Sequence, residues 1–85
     1  MAERVITVSV PEGLHARPAA ELVRLAHEHP GSVEVRAHGR APVDAASILG
    51  VMTLGVDPGE SVVVAVQGPG ADALLDRISA LLDPA

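Results

Sequence analysis

The stretch Gly13-Leu14-His15-Ala16-Arg17-Pro18-Ala19-Ala20 separates two kinds of patterning. Apolar residues alternate before it and recur at helical spacing after it. His15 therefore falls at or beside the first position of a helix. Pro18 suits the first turn, where amide N–H groups have no partner inside the helix and one can be missing at little cost. Gly13 lets the backbone turn sharply on the way in. The free amides and the positive end of the helix dipole make an anion site. Arg17 follows within the same turn, and its guanidinium can fork onto a phosphate or carboxylate. An imidazole, a helix N-terminus and a guanidinium are the parts needed to hold a phosphoryl group on a histidine.

Working outward, Arg4 to Val10 reads as a half-buried strand with Ile6, Val8 and Val10 on one face. Val5 breaks the alternation. On the other side, Ala16 to Glu28 reads as a helix with Ala19, Leu22, Val23 and Ala26 as its apolar stripe. Arg17, Glu21, Arg24 and Glu28 alternate in sign on another face, and Arg17 has Glu21 as an i,i+4 partner. Pro30-Gly31 ends the helix.

Ser32 to His38 alternates again, with Val33, Val35 and Ala37 inward. His38-Gly39-Arg40 is a turn, and Ala41-Pro42-Val43 is the return strand. Pro42 has no N–H to give a ladder, which puts that strand at a sheet edge. A short helix spans Ser47 to Thr53 with Ser47 as its N-cap. Gly50 inside it weakens the helix, so packing must hold it. Asp57-Pro58-Gly59-Glu60 is a turn. Ser61 to Gln67 is a strand with apolar residues on both faces, fit for a central position. Ala71 to Leu82 is the last helix, with Leu74, Leu75, Ile78, Leu81 and Leu82 forming its stripe. The order β-α-β-β-α-β-α in so short a chain implies one sheet with the helices on one face.

Composition narrows the functions. The 85 residues make one small domain, 1–85, without cysteines for disulfides or thiolate metal sites. With no Phe, Trp or Tyr and a net charge of −5, nucleic-acid binding is not expected, because base stacking and phosphate attraction both lack their usual groups. No apolar run approaches the roughly 18 residues of a membrane span. The N-terminus lacks the pattern of a signal peptide, so a cytoplasmic location is expected. His27, His29 and His38 form no convincing metal set: a His-x-His pair at a helix end points its rings apart. No metal and no cofactor are expected, and neither is oligomerisation.

Gly13-Leu14-His15-Ala16-Arg17-Pro18-Ala19 resembles the active-site signature of HPr, the histidine-containing phosphocarrier of the bacterial sugar phosphotransferase system. Ala46-Ser47-Ile48-Leu49-Gly50-Val51-Met52-Thr53-Leu54-Gly55-Val56 resembles the family's serine-site segment. The two lie at the spacing the family uses, and the chain matches one HPr domain in length. The resemblance implies an α+β, open-faced β-sandwich with four antiparallel strands under three helices. It implies that His15 accepts a phosphoryl group at Nδ1 from enzyme I, charged by phosphoenolpyruvate, and passes it to a histidine of IIA proteins. Such a protein is a phosphoryl-transfer carrier and not an enzyme with independent turnover.

The remaining site expectations follow from that resemblance. The amides of Ala16 and Arg17 and the Arg17 guanidinium would stabilise the phosphate. Ala20, Leu49 and Met52 match an apolar docking patch, and Arg24 and His27 match basic positions that face acidic partners. His27 replaces a more usual Lys or Arg. Ser47 matches the serine that HPr kinase/phosphorylase modifies in many Gram-positive bacteria, although Ala46 and Leu49 depart from the Lys and Met common there. Its plain alternative role is a helix cap. Glu12 stands where Ser or Asn is frequent and is expected to point outward. Two other functions stay open: a nitrogen-type phosphotransferase relay with a regulatory role, and an interaction module modified at Ser47 alone. Relatives of the latter kind lack the histidine that this chain keeps.

Overall fold

The computed structural model describes residues 1–84; Ala85, the last residue of the expected 1–85 domain, lies outside the described residues. Seven elements follow in the order β1 (Ala2–Thr7), α1 (Ala16–Glu28), β2 (Val33–Ala37), β3 (Val43–Asp44), α2 (Ile48–Thr53), β4 (Ser61–Val66) and α3 (Ala71–Leu82). The strands form one sheet in the order β1-β4-β2-β3, antiparallel throughout. β4 is central, as its run of valines predicts. Its partners are Ile6 opposite Val62 and Val35 opposite Val64.

The alternation in β4 shows which face carries the core. Val62, Val64 and Val66 are buried, whereas Val63 and Ala65 are only half-buried on the other face. The helices cover the first face and leave the second without a layer. Helix α3 packs on β1 and β4, and α1 lies between α2 and α3. Because α1 has a helix on each flank, its buried arc is wider than the expected stripe. It includes Leu25, which the spacing did not single out, while Val23 is only partly buried. The core is wholly aliphatic, and among the described residues no polar or charged side chain is buried. Any chemistry must therefore run at the surface.

β2 is one residue shorter than expected at each end and β4 one residue shorter at its end, while β1 and β3 depart further. β1 begins at Ala2 and its ladder with β4 stops at Thr7. Val8 is nonetheless fully buried, and its N–H donates to Glu60 O at 2.8 Å, so the chain continues inward past the ladder. β3 is the edge strand foreseen from Pro42, but it covers Val43–Asp44 and leaves Pro42 just outside the pairing. Both long helices match their expected spans, Ala16–Glu28 and Ala71–Leu82. In α2, Ser47 is the N-cap, and its Oγ accepts from Gly50 N–H at 3.0 Å.

Candidate functional site

His15 is the N-cap of α1, with extended backbone (φ −134°, ψ 171°) and no side-chain cap bond. The ring is thus not tied down to its own helix. Its side chain is 39% exposed. Ala16 follows at φ +50°, in the left-handed region that L-residues rarely occupy. That conformation costs about 1–2 kcal/mol, and nothing in the residue type foretells it. The amides of Ala16 and Arg17 have no hydrogen-bond partner among the described residues. They are the unpaired donors that a helix start presents to an anion.

Leu14, just before the N-cap, is fully buried and anchors the segment. An apolar residue in that position is the readable signal, because it staples the chain entry onto the helix. Its N–H donates to Val56 O at 3.0 Å. Gly13, at φ +66°, lies against the same carbonyl: a Cβ there would come within 2.6 Å of Val56 O. The histidine segment is therefore stitched to the loop before β4. One residue beyond the stitch, Asp57 Oδ1 lies 4.0 Å from His15 Nε2. Sequence reading placed Asp57 in a turn and gave it no part in the site.

Arg17 is exposed and forms no ion pair among the described residues. The anticipated Arg17–Glu21 pair is not formed, because Glu21 is taken by Arg24. The Arg24 guanidinium bridges Glu21 and Glu28, at 2.8 Å from each. Its hydrogen bond and charge hold the Glu21 carboxyl below the ordinary 4.5, and the two carboxylates push the Arg24 guanidinium upward. Glu12 is exposed, as expected.

The other expected residues lie on α1 and α2, which pack side by side. Ala20 is exposed on α1. Leu49 is 74% and Met52 43% exposed on α2, and Ile48, which sequence reading passed over, is 41% exposed. His27 Nε2 lies 2.9 Å from Ala46 O and links the end of α1 to the segment before α2. His29 Nε2 lies 2.7 Å from Gln67 O, so the two rings go to different carbonyls. Ser47 is exposed.

The sequence matches the family described as PTS HPr component phosphorylation site over residues 2–83. The chain belongs to the HPr family. It is 44% identical to the phosphocarrier protein HPr of Streptomyces coelicolor, with 96% of this chain and 88% of that one covered. It is 38% identical to the phosphocarrier protein NPr of Shewanella violacea, over 95% of this chain and 88% of that one. Among solved structures, the HPr of Bacillus anthracis superposes with a TM-score of 0.89 at 29% identity, covering 96% of both chains. The open-faced α+β arrangement is that of HPr, and the protein is a phosphocarrier of the phosphotransferase system.

Proposed function

We propose that this HPr-family chain accepts a phosphoryl group on His15 Nδ1 from the phosphohistidine of enzyme I and passes it to a histidine of IIA proteins during sugar uptake. One observation carries the reading: a half-exposed imidazole, free of any side-chain cap bond, belongs to the N-cap residue of a helix whose first amides are unpartnered among the described residues. The Nδ1 lone pair forms the new N–P bond as the donor's N–P bond breaks. The Ala16 and Arg17 amides and the Arg17 guanidinium stabilise the equatorial oxygens of the transferring group. No cofactor takes part in this step. The protein turns nothing over by itself.

Ala20, Leu49 and Met52 form the docking surface, where small and flexible side chains serve several partners in turn. Arg24 and His27 face acidic groups of those partners. The chain acts as one monomeric domain in the cytoplasm and inserts into no membrane; among the described residues, no helix is long and apolar enough to cross one. Ser47 is a candidate for HPr kinase/phosphorylase. Its Oγ already accepts from Gly50 N–H, so modification would have to rebuild the cap around the phosphate.

A nitrogen-type relay is the second reading, favoured by the likeness to an NPr. Incubation with phosphoenolpyruvate, Mg²⁺ and enzyme I tests the first step. Acid-labile, base-stable phosphate is expected on His15 and absent from His15→Ala. A cognate enzyme I that leaves the wild-type chain unmodified refutes the carrier role. Offering the phosphoprotein to sugar-type and nitrogen-type IIA acceptors separates the two branches.

A further inference from the structure

We infer that Asp57 is a positioning residue for the phosphoryl carrier: its carboxylate keeps the proton of His15 on Nε2 through the transfer cycle. The inference rests on the carrier reading above. Its basis is the 4.0 Å approach of Asp57 Oδ1 to Nε2 and the way the backbone fixes it. Leu14 N–H donates to Val56 O, so His15 and Asp57 are each one residue beyond a shared hydrogen bond. Gly13 packs on Val56 O and on the Asp57 Cα. From the other side, Asp57 N–H donates to Glu60 Oε1 at 2.7 Å, and Glu60 N–H donates to Asp57 O at 3.1 Å. The loop backbone is pinned on both flanks, which places the Asp57 carboxylate, itself 78% exposed, on the ring's side of the loop.

Charge accounting makes this placement useful. A neutral ring with its proton on Nε2 has its lone pair on Nδ1. When Nδ1 closes a bond to phosphorus and the donor's N–P bond breaks, the ring becomes a cationic N-phosphoryl imidazolium. On transfer, the N–P electron pair returns to Nδ1, and the ring departs neutral only if Nε2 still holds its proton. Loss of that proton beforehand would leave an imidazolate as the leaving group, a far worse one. A carboxylate facing Nε2 favours the protonated, cationic stage. The charged residues on the segments that carry and face the ring are Glu12, Arg17, Asp57 and Glu60. Among the described residues, Asp57 alone puts a carboxylate oxygen within 4.0 Å of a His15 nitrogen.

The test compares wild type, Asp57→Asn and Asp57→Glu. Each is phosphorylated by phosphoenolpyruvate and enzyme I, and loss of phosphate to water is followed from about pH 5 to about pH 9. Opposite unit charges about 4 Å apart in a water-like medium attract enough for about a fivefold effect. Asp57→Asn is therefore expected to lose phosphate about fivefold more slowly on the alkaline side and at the wild-type rate on the acid side. Asp57→Glu restores most of the wild-type profile. In the unphosphorylated protein, the ¹⁵N shifts of the two ring nitrogens are expected to move toward one another in Asp57→Asn. A wild-type pH profile in Asp57→Asn, a slowing equal at all pH, or unchanged ¹⁵N shifts overturns the role of Asp57 while leaving the carrier reading intact. A wild-type chain that takes up no phosphate overturns the carrier reading, and with it the transfer role of Asp57.

Discussion

Leu14 N–H and Val56 O, 42 positions apart in the chain, meet at 3.0 Å, and this bond fixes the histidine segment against the loop that leads into β4. Gly13 is what allows the approach. Gly13→Ala adds a Cβ at 2.6 Å from Val56 O and forces an L-residue to φ +66°. A loss of at least about 2 kcal/mol in unfolding free energy is expected from urea titration. The His15 ring resonances should shift along with it, because the ring hangs from that same segment.

Ala16 runs the opposite way. Its φ of +50° is strained for alanine but easy for glycine. Ala16→Gly should raise stability by up to about 1 kcal/mol, relief of strain outweighing the extra freedom of the unfolded chain. A denaturation midpoint below that of wild type would show that the left-handed turn is not under strain.

Ser47 gives α2 its N-terminal side-chain cap, and Gly50 weakens the helix from within. Ser47→Ala should cost about 1 kcal/mol, whereas Ser47→Asp keeps an acceptor for the Gly50 amide and should cost less. Chemical denaturation of the three proteins checks the order.

The Arg24 bridge predicts a pH dependence. Its guanidinium holds the folded Glu21 carboxyl below 4.5, and a carboxyl lowered on folding binds fewer protons in the native state. Its stabilisation is therefore present above 4.5 and lost as pH falls through the lowered value. NMR titration should place the Glu21 midpoint below 4.5 in wild type and return it toward that value in Arg24→Gln.

Ile78 is wholly buried on α3 and carries no site residue. Ile78→Ala should cost about 2–5 kcal/mol through lost burial and a residual cavity. The fraction that remains folded should keep wild-type ring shifts at His15.

Much of this was legible from spacing alone. Period-two and helical patterns located β2, β4 and both long helices, and Pro42 marked the edge strand, because each signal is local. The unread parts depend on distant neighbours. Leu25 is core because α3 lies along α1. Arg17 loses Glu21 because Arg24, three residues from Glu21 and four from Glu28, reaches both carboxylates at once. The site shows the same division. His15, Arg17 and the helix start sit in one contiguous stretch that can be read directly. Asp57 comes to the ring only through a hydrogen bond between Leu14 and Val56, and no periodicity reports a contact of that kind.

The all-aliphatic interior has a practical outcome. With no Phe, Tyr or Trp anywhere in the chain, unfolding gives no intrinsic fluorescence change, and every core side chain ends in methyl groups. Methyl spectroscopy can therefore watch the whole interior at once. A tryptophan introduced at Val5, which is 69% exposed on the uncovered side of the sheet, would be the sole fluorophore and would report on strand pairing without touching the histidine.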